Sequence, residues 1–254
     1  MIAQRHRILG KLPPVHDHAG IAIGKRALSA HLPVPPDHTA WPTAAWPMFL
    51  NDQLGCCAES AKALLALHWS RIAQAPIIWP EQAVERLYQT CGGYVPGQPA
   101  TDRGTVMAFV NGFMCSTGID IGLQAPEVWT LSIGLDHTDI DDICRAIAIF
   151  GAADIGWQLT RAMADSTNGR WDYVAGSPVV GGHDAILVNY RTIGGLREFT
   201  VATWSEEIIV TEACLRASID EAWLGVSRQH WTRIDGRTPL LAFDDALSYA
   251  SRLA

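Results

Sequence analysis

Two short stretches of this chain carry side chains that could work together on an acyl group. The first is Asn51-Asp52-Gln53-Leu54-Gly55-Cys56-Cys57-Ala58-Glu59-Ser60-Ala61, which reads as a loop delivering a thiol into the first turn of an apolar helix. Ala61, Leu64, Leu65, His68 and Ile72 recur at helical spacing, which predicts a helix over 57–72, buried along that stripe, with Cys57 at its head. A thiol so placed meets the positive end of the helix dipole and unpaired N–H groups, both of which favour thiolate and so make a nucleophile. Gln53, on the loop before it, could aim its amide at an oxyanion forming beside Cys57, with a backbone N–H as second donor.

The second stretch is Gly181-Gly182-His183-Asp184-Ala185-Ile186-Leu187-Val188-Asn189-Tyr190, in which an imidazole opens an apolar strand. Such a run suits a strand covered on both faces. A turn around Gly194-Gly195 then returns Phe199-Thr200-Val201-Ala202-Thr203-Trp204 as a hairpin partner, bringing Thr203 and Trp204 toward His183. Taken singly, Cys57 is explained as a small buried hydrophobe and His183 as a satisfied imidazole at a strand end. Taken in this order with Gln53 they describe acyl transfer: Cys57 as nucleophile, His183 as base and acid, Gln53 as oxyanion donor, Thr203 as orienter, and Trp204 and Gly182 against the substrate.

The elements that must position these groups follow from patterning. Residues 1–45 are rich in Pro, His and Gly and read as an extended arm wrapping over the body, and 46–254 read as one domain. Its helical lobe covers about 46–135 and its β-rich lobe about 136–254. His16 and His18, with His31 and His38, lack the carboxylate or thiolate partners of a zinc set, so no metal site is expected. A helix from Pro80 to Cys91 ends at Gly92-Gly93, and Asp102 is expected to cap another from about 104 to 116. A substrate contact by Asp102 or Arg103 is the less favoured reading. Thr138 or Asp139 can cap a helix through Phe150, stopped by Gly151 and followed by a strand to about Leu159. The segment 160–182 reads as a surface excursion, Ile208 to Val210 as a strand, and Asp244 to Leu253 as a final amphipathic helix.

At 48% hydrophobic and 18% charged residues over 254, the composition is that of a globular chain with room for a large core. The net charge of −7 is spread without long runs, which argues against nucleic-acid and anionic-membrane partners. No stretch reaches the roughly 18 apolar residues of a membrane span and none reads as a signal peptide, so a cytoplasmic or virion-associated protein is expected. The six cysteines show no C-x-x-C spacing and read mostly as buried free thiols.

The order of these parts resembles the papain-like cysteine peptidase superfamily: glutamine, cysteine at a helix start, a Gly-His strand, then a strand ending in Trp. More narrowly, Leu9-Gly10-Lys11-Leu12-Pro13-Pro14, Trp46-Pro47-Met48-Phe49-Leu50-Asn51-Asp52, Thr101-Asp102-Arg103-Gly104, Gly181-Gly182-His183 and Thr203-Trp204 are similar to papain-like proteins of bacteriophages and prophages. The resemblance implies an α+β, two-lobed fold in which a helical lobe carrying the nucleophile helix packs on a C-terminal antiparallel β-sheet. It also implies a cysteine hydrolase acting on a peptide, isopeptide or other amide, needing no cofactor. Two departures stand out. Cys56 replaces the aspartate that the phage-type proteins place before the nucleophile, and Thr203 stands where papain has the asparagine that orients its histidine. The alternative is a catalytically inert papain-like module with a structural or interaction role. A third reading makes Cys56, Cys57 and a histidine metal ligands.

Overall fold

The structure is a computed structural model that describes residues 7–15, 34–39 and 45–227. His16, His18, His31 and the helix expected at 244–253 lie outside the described residues. Three helices come first: α1 (Cys57–Ile72), α2 (Glu81–Gly92) and α3 (Met107–Ser116). Then β1 (Leu131–Leu135), α4 (Ile140–Phe150) and β2 (Ala153–Thr160) lead through α5 (Arg161–Ala164) and β3 (Arg170–Trp171) to the long strand β4 (Val179–Ile193). The chain continues as β5 (Leu196–Thr203), β6 (Glu206–Thr211), α6 (Glu212–Ser218) and β7 (Ile219–Val226). The strands form one sheet in the order β1-β7-β2-β4-β5-β6-β3, antiparallel except where β3 meets β6.

Helix α1 is the spine of the molecule, running at the expected bounds against β4 and the other two early helices. The sequence pattern predicts one buried stripe; the structure buries every side chain of α1 except that of Arg71, including Glu59 and Lys62. Polar anchors hold its far end, where Trp69 Nε1 donates to the Phe150 carbonyl (2.9 Å) and His68 Nε2 lies 3.0 Å from the Gly151 carbonyl oxygen. His68 is therefore a core histidine anchored through Nε2 alone, and its burial pulls its pKa down to about 3.

Lys62 carries a positive charge into the dry contact between helix and sheet. Its Nζ meets Asp154 of β2 and, at 3.1 Å, Asp184 of β4, with all three side chains sealed from water. Burial and the neighbouring Asp154 push the Asp184 carboxyl well above the usual range, while burial opposes and the two aspartates more than restore the lysine charge. A buried set of this kind contributes little net stability against an apolar filling, but it penalises any packing that separates its members. It fixes the register of α1 on β2 and β4.

Local signals account for most boundaries. Gly93 takes the left-handed conformation (φ 70°) after α2, and Asp139 caps α4 by accepting from the N–H groups of Asp141 (3.0 Å) and Asp142 (3.2 Å). The expected cap at α3 is a correction. Asp102 Oδ1 accepts from the Gly55 N–H (2.9 Å) and the Tyr88 hydroxyl (2.6 Å) instead, and α3 starts at Met107 without a side-chain cap. Asp102 thus braces the turn that delivers Cys57. No helix among the described residues is long and apolar enough to cross a membrane.

Candidate active site

Cys57 opens α1 and His183 lies near the start of β4, and these elements pack together. The residue after the histidine sits at the thiol, for the Asp184 N–H points to the Cys57 sulfur, as does the N–H of Gly10. The β4–β5 hairpin turns at Gly194-Gly195 as expected, with both glycines at positive φ, and its register pairs Ile186 with Ala202. That register carries Thr203 to the imidazole, where its Oγ1 lies 2.7 Å from His183 Nε2. Trp204 and Ser205 then turn the chain into β6 with φ of 46° and 59°. The turn lays the indole flat on the imidazole, ring centroids 3.9 Å apart and planes 14° from parallel.

With Nε2 engaged by a hydroxyl and one face covered by Trp204, the ring has one nitrogen to spare. Nδ1 is buried and has no hydrogen-bond partner. A hydroxyl accepting from Nε2–H leaves a lone pair on Nδ1, the tautomer a base requires.

The cleft is not the open groove that acyl transfer to an external substrate needs: residues 7–12 run through it. The Ile8 N–H donates to the Asn51 carbonyl (3.3 Å), the Lys11 N–H to the Gly182 carbonyl (3.2 Å) and the Leu12 N–H to the Thr105 carbonyl (3.0 Å), while the Thr105 N–H donates to the Gly10 carbonyl (2.8 Å). Gly10 lies so close to Gly55 that a Cβ there would overlap the Gly55 carbonyl, which makes this crossing a place for glycine. At one end the Arg7 guanidinium lies 5.1 Å from the Trp204 ring centroid and 3.0 Å from Glu206 Oε2. At the other the Lys11 side chain enters the sheet, with Nζ 2.8 Å from Asp220 Oδ1 and 3.0 Å from Glu221 Oε1.

This strap resets the electrostatics. Cys57 and His183 are both fully buried. Burial, reinforced by the nearby Asp184 carboxyl, pushes the Cys57 thiol up to about 12, against which the Asp184 and Gly10 N–H groups act only in part. Burial and then the charge of Arg7 pull His183 down to about 3. The thiolate expected from the helix dipole is therefore disfavoured, because desolvation outweighs a dipole effect of about 1 kcal/mol.

Gly182 and Trp204 meet the strap, Thr203 and Trp204 meet His183, and the backbones of Gly10 and Asp184 act on Cys57. Gln53 does not join them: its side chain is exposed on the turn and its N–H is spent on the Leu50 carbonyl (2.9 Å). Sequence reasoning passed over Asn51, which is buried, receives the strap through its carbonyl and leaves its Oδ1 without a partner. Cys56 has a different task from its neighbour. Its sulfur points inward to the Phe49 carbonyl (3.6 Å) and Ser60 Oγ (3.5 Å). All six cysteines are free thiols, and among the described residues no three His, Cys, Asp or Glu side chains form a set that could hold a metal ion.

No protein-family model and no curated protein matches the sequence. Solved structures do match the fold. Xylellain, a cysteine protease from Xylella fastidiosa, superposes with a TM-score of 0.63 at 13% identity, covering 87% of this chain and 97% of that one. A procathepsin B from Trypanosoma congolense gives 0.58 at 13% identity over 90% and 89% of the two chains, and bromelain from Ananas comosus gives 0.55 at 13% over 76% and 99%. The fold is that of the papain-like, two-lobed cysteine proteases, an α+β architecture with a helical region against a seven-stranded sheet.

Proposed function

We propose that this chain is a papain-like cysteine hydrolase that cleaves a peptide, isopeptide or other amide through a thioester on Cys57, and that residues 7–12 hold it latent. The observation that carries the reading is the wiring of His183. Its Nε2 is committed to Thr203, its face to Trp204, and its remaining Nδ1 is buried without a partner, one residue before Asp184, whose backbone acts on the Cys57 thiol. Once the strap leaves, water and the helix dipole lower the thiol pKa, and Nδ1 takes the Cys57 proton. The thiolate adds to the substrate carbonyl, the oxyanion collapses, and the leaving amine departs with the proton from His183. Water, deprotonated by the same nitrogen, then attacks the thioester and releases the acid and the thiol.

Thr203 orients the imidazole without adding the negative charge of a carboxylate, so it contributes geometry more than stabilisation of imidazolium. The kinship with phage and prophage proteins rests on the sequence motifs.

The test uses full-length chain whose strap is expelled by Lys11→Glu, which sets a carboxylate against Asp220 and Glu221. Turnover of a mixed fluorogenic peptide library should appear in this variant and vanish on adding Cys57→Ala with the fold retained. Gln53→Ala should then change the rate little, since that side chain is exposed on the turn. A loss of roughly 10²-fold would instead make Gln53 an oxyanion donor.

A second reading, an inert module of the same fold, is favoured by the sealed thiol and the missing asparagine. It predicts that Cys57 in the opened variant reacts with iodoacetamide no faster than Cys91 or Cys115.

A further inference from the structure

We infer that the hollow bounded by Gly156, Asp220 and Glu221 is a specificity pocket for a lysine or arginine side chain of the substrate, and that Lys11 holds that place in the shut cleft. The inference rests on the hydrolase reading above and adds the class of substrate to it. Lys11 belongs to a segment that crosses the cleft in extended form, and its neighbour Gly10 lies at the thiol. Its side chain nonetheless leaves the cleft and is only 1% exposed. The space for it is made by an absence: a Cβ on Gly156 would overlap Lys11 Cε and press on Glu221. The alkyl stem passes over that bare backbone to two carboxylates at the start of β7.

The carboxylates are held for the purpose. Glu221 Oε2 accepts from Trp223 Nε1 (2.9 Å), which aims Oε1 at the cation. Asp220 Oδ1 accepts the hydrogen bond from Lys11 Nζ (2.8 Å), and Glu221 Oε1 lies 3.0 Å from the same nitrogen. A guanidinium, whose planar fork offers a donor to each of these oxygens, suits the same pair. An apolar side chain in the same place would leave two carboxylates without a cation in a site largely closed to water, and an acidic one would add repulsion. The pocket thus selects by charge through what it would leave unpaired.

The experiment uses full-length Lys11→Glu chain and three peptidyl acyloxymethyl ketones that differ only in the residue next to the one bearing the ketone: lysine, norleucine or glutamate. Modification of Cys57 is followed by mass spectrometry of its tryptic peptide. The lysine probe should react about ten- to a hundredfold faster than the norleucine probe, the worth of one or two charge-assisted hydrogen bonds, and the glutamate probe slowest. Glu221→Gln, which keeps an acceptor for Trp223, should reduce the lysine advantage about tenfold. Equal rates for all three probes at Cys57 would overturn the pocket and leave the hydrolase standing. Failure of every probe at Cys57 while Cys91 and Cys115 react would overturn both. Gly10→Val, which cannot pass Gly55, opens the cleft by bulk and repeats the test if the charge variant does not fold.

Discussion

Two buried lysines, each between two carboxylates, do opposite things in this molecule. Lys62 joins α1 to Asp154 and Asp184 of the adjoining strands, and all three side chains are closed to solvent. Lys11 joins a segment of the cleft to Asp220 and Glu221, whose side chains keep 15% and 9% of their exposure. In both, burial opposes the charge and the two acids more than restore it. The chemistry is shared, but one lysine stands on an element that cannot leave without unfolding and the other on a strap a few residues long. An ion pair is permanent or releasable according to what its backbone is fastened to.

Breaking each lysine separates the two cases. Lys62→Met should lower unfolding stability by about 3–5 kcal/mol, since it leaves two carboxylates buried with no cation, and a urea midpoint measures it. A shift under about 1 kcal/mol would show that the carboxyl pair holds α1 by itself. Lys11→Met should instead leave the midpoint nearly in place and raise the rate of Cys57 alkylation about tenfold or more, as the strap loses its anchor. Lys11→Arg should keep the thiol protected. Equal protection in the methionine variant would mean that the backbone bonds to Gly182 and Thr105 suffice.

The smallest effect is on pH dependence. His183 in the cleft and His68 in the body are each pulled from 6.5 to about 3, so between those values the unfolded chain binds more protons and stability falls as acid is added. Burial moves Glu59 the other way, from 4.5 up to about 7, so between those values the folded chain holds the extra proton and stability rises with acid. Two histidines outweigh one carboxyl, so the melting temperature should fall gently from pH 6.5 to 4.5 and about twice as steeply between 4.5 and 3. The drop should be shallower in Lys11→Glu, where opening the cleft removes the share of His183. A uniform slope across the whole range would assign the effect to other groups.

What could be read from the chain alone depended on how local its cause was. The limits of α1, the stop at Gly151, the Gly194-Gly195 turn and the approach of Thr203 to His183 follow from periodicity and turn chemistry within a few dozen residues. Strand β7 was not recognised as a central strand, because Asp220 and Glu221 interrupt its apolar run and are satisfied by a lysine from far upstream. Asp102 looked like a cap because helix starts favour aspartate, yet its partner is the Gly55 N–H of another segment. Asn51 and Gln53 stand two residues apart on one turn, and only the fold shows that the first is turned inward and the second outward. The thiol pKa failed for the same reason: the dipole of α1 is local, and the strap that dries the sulfur is not.

The turn after β5 holds one more lesson. Trp204 and Ser205 occupy a backbone region that suits glycine or asparagine, and an indole there is a conformational burden on the hairpin. The molecule carries that burden where a ring lies flat on the imidazole. Relaxing the corner with glycine would make the hairpin easier to form and strip the cover from the imidazole, so a sturdier turn and a shielded ring pull this single position in opposite directions.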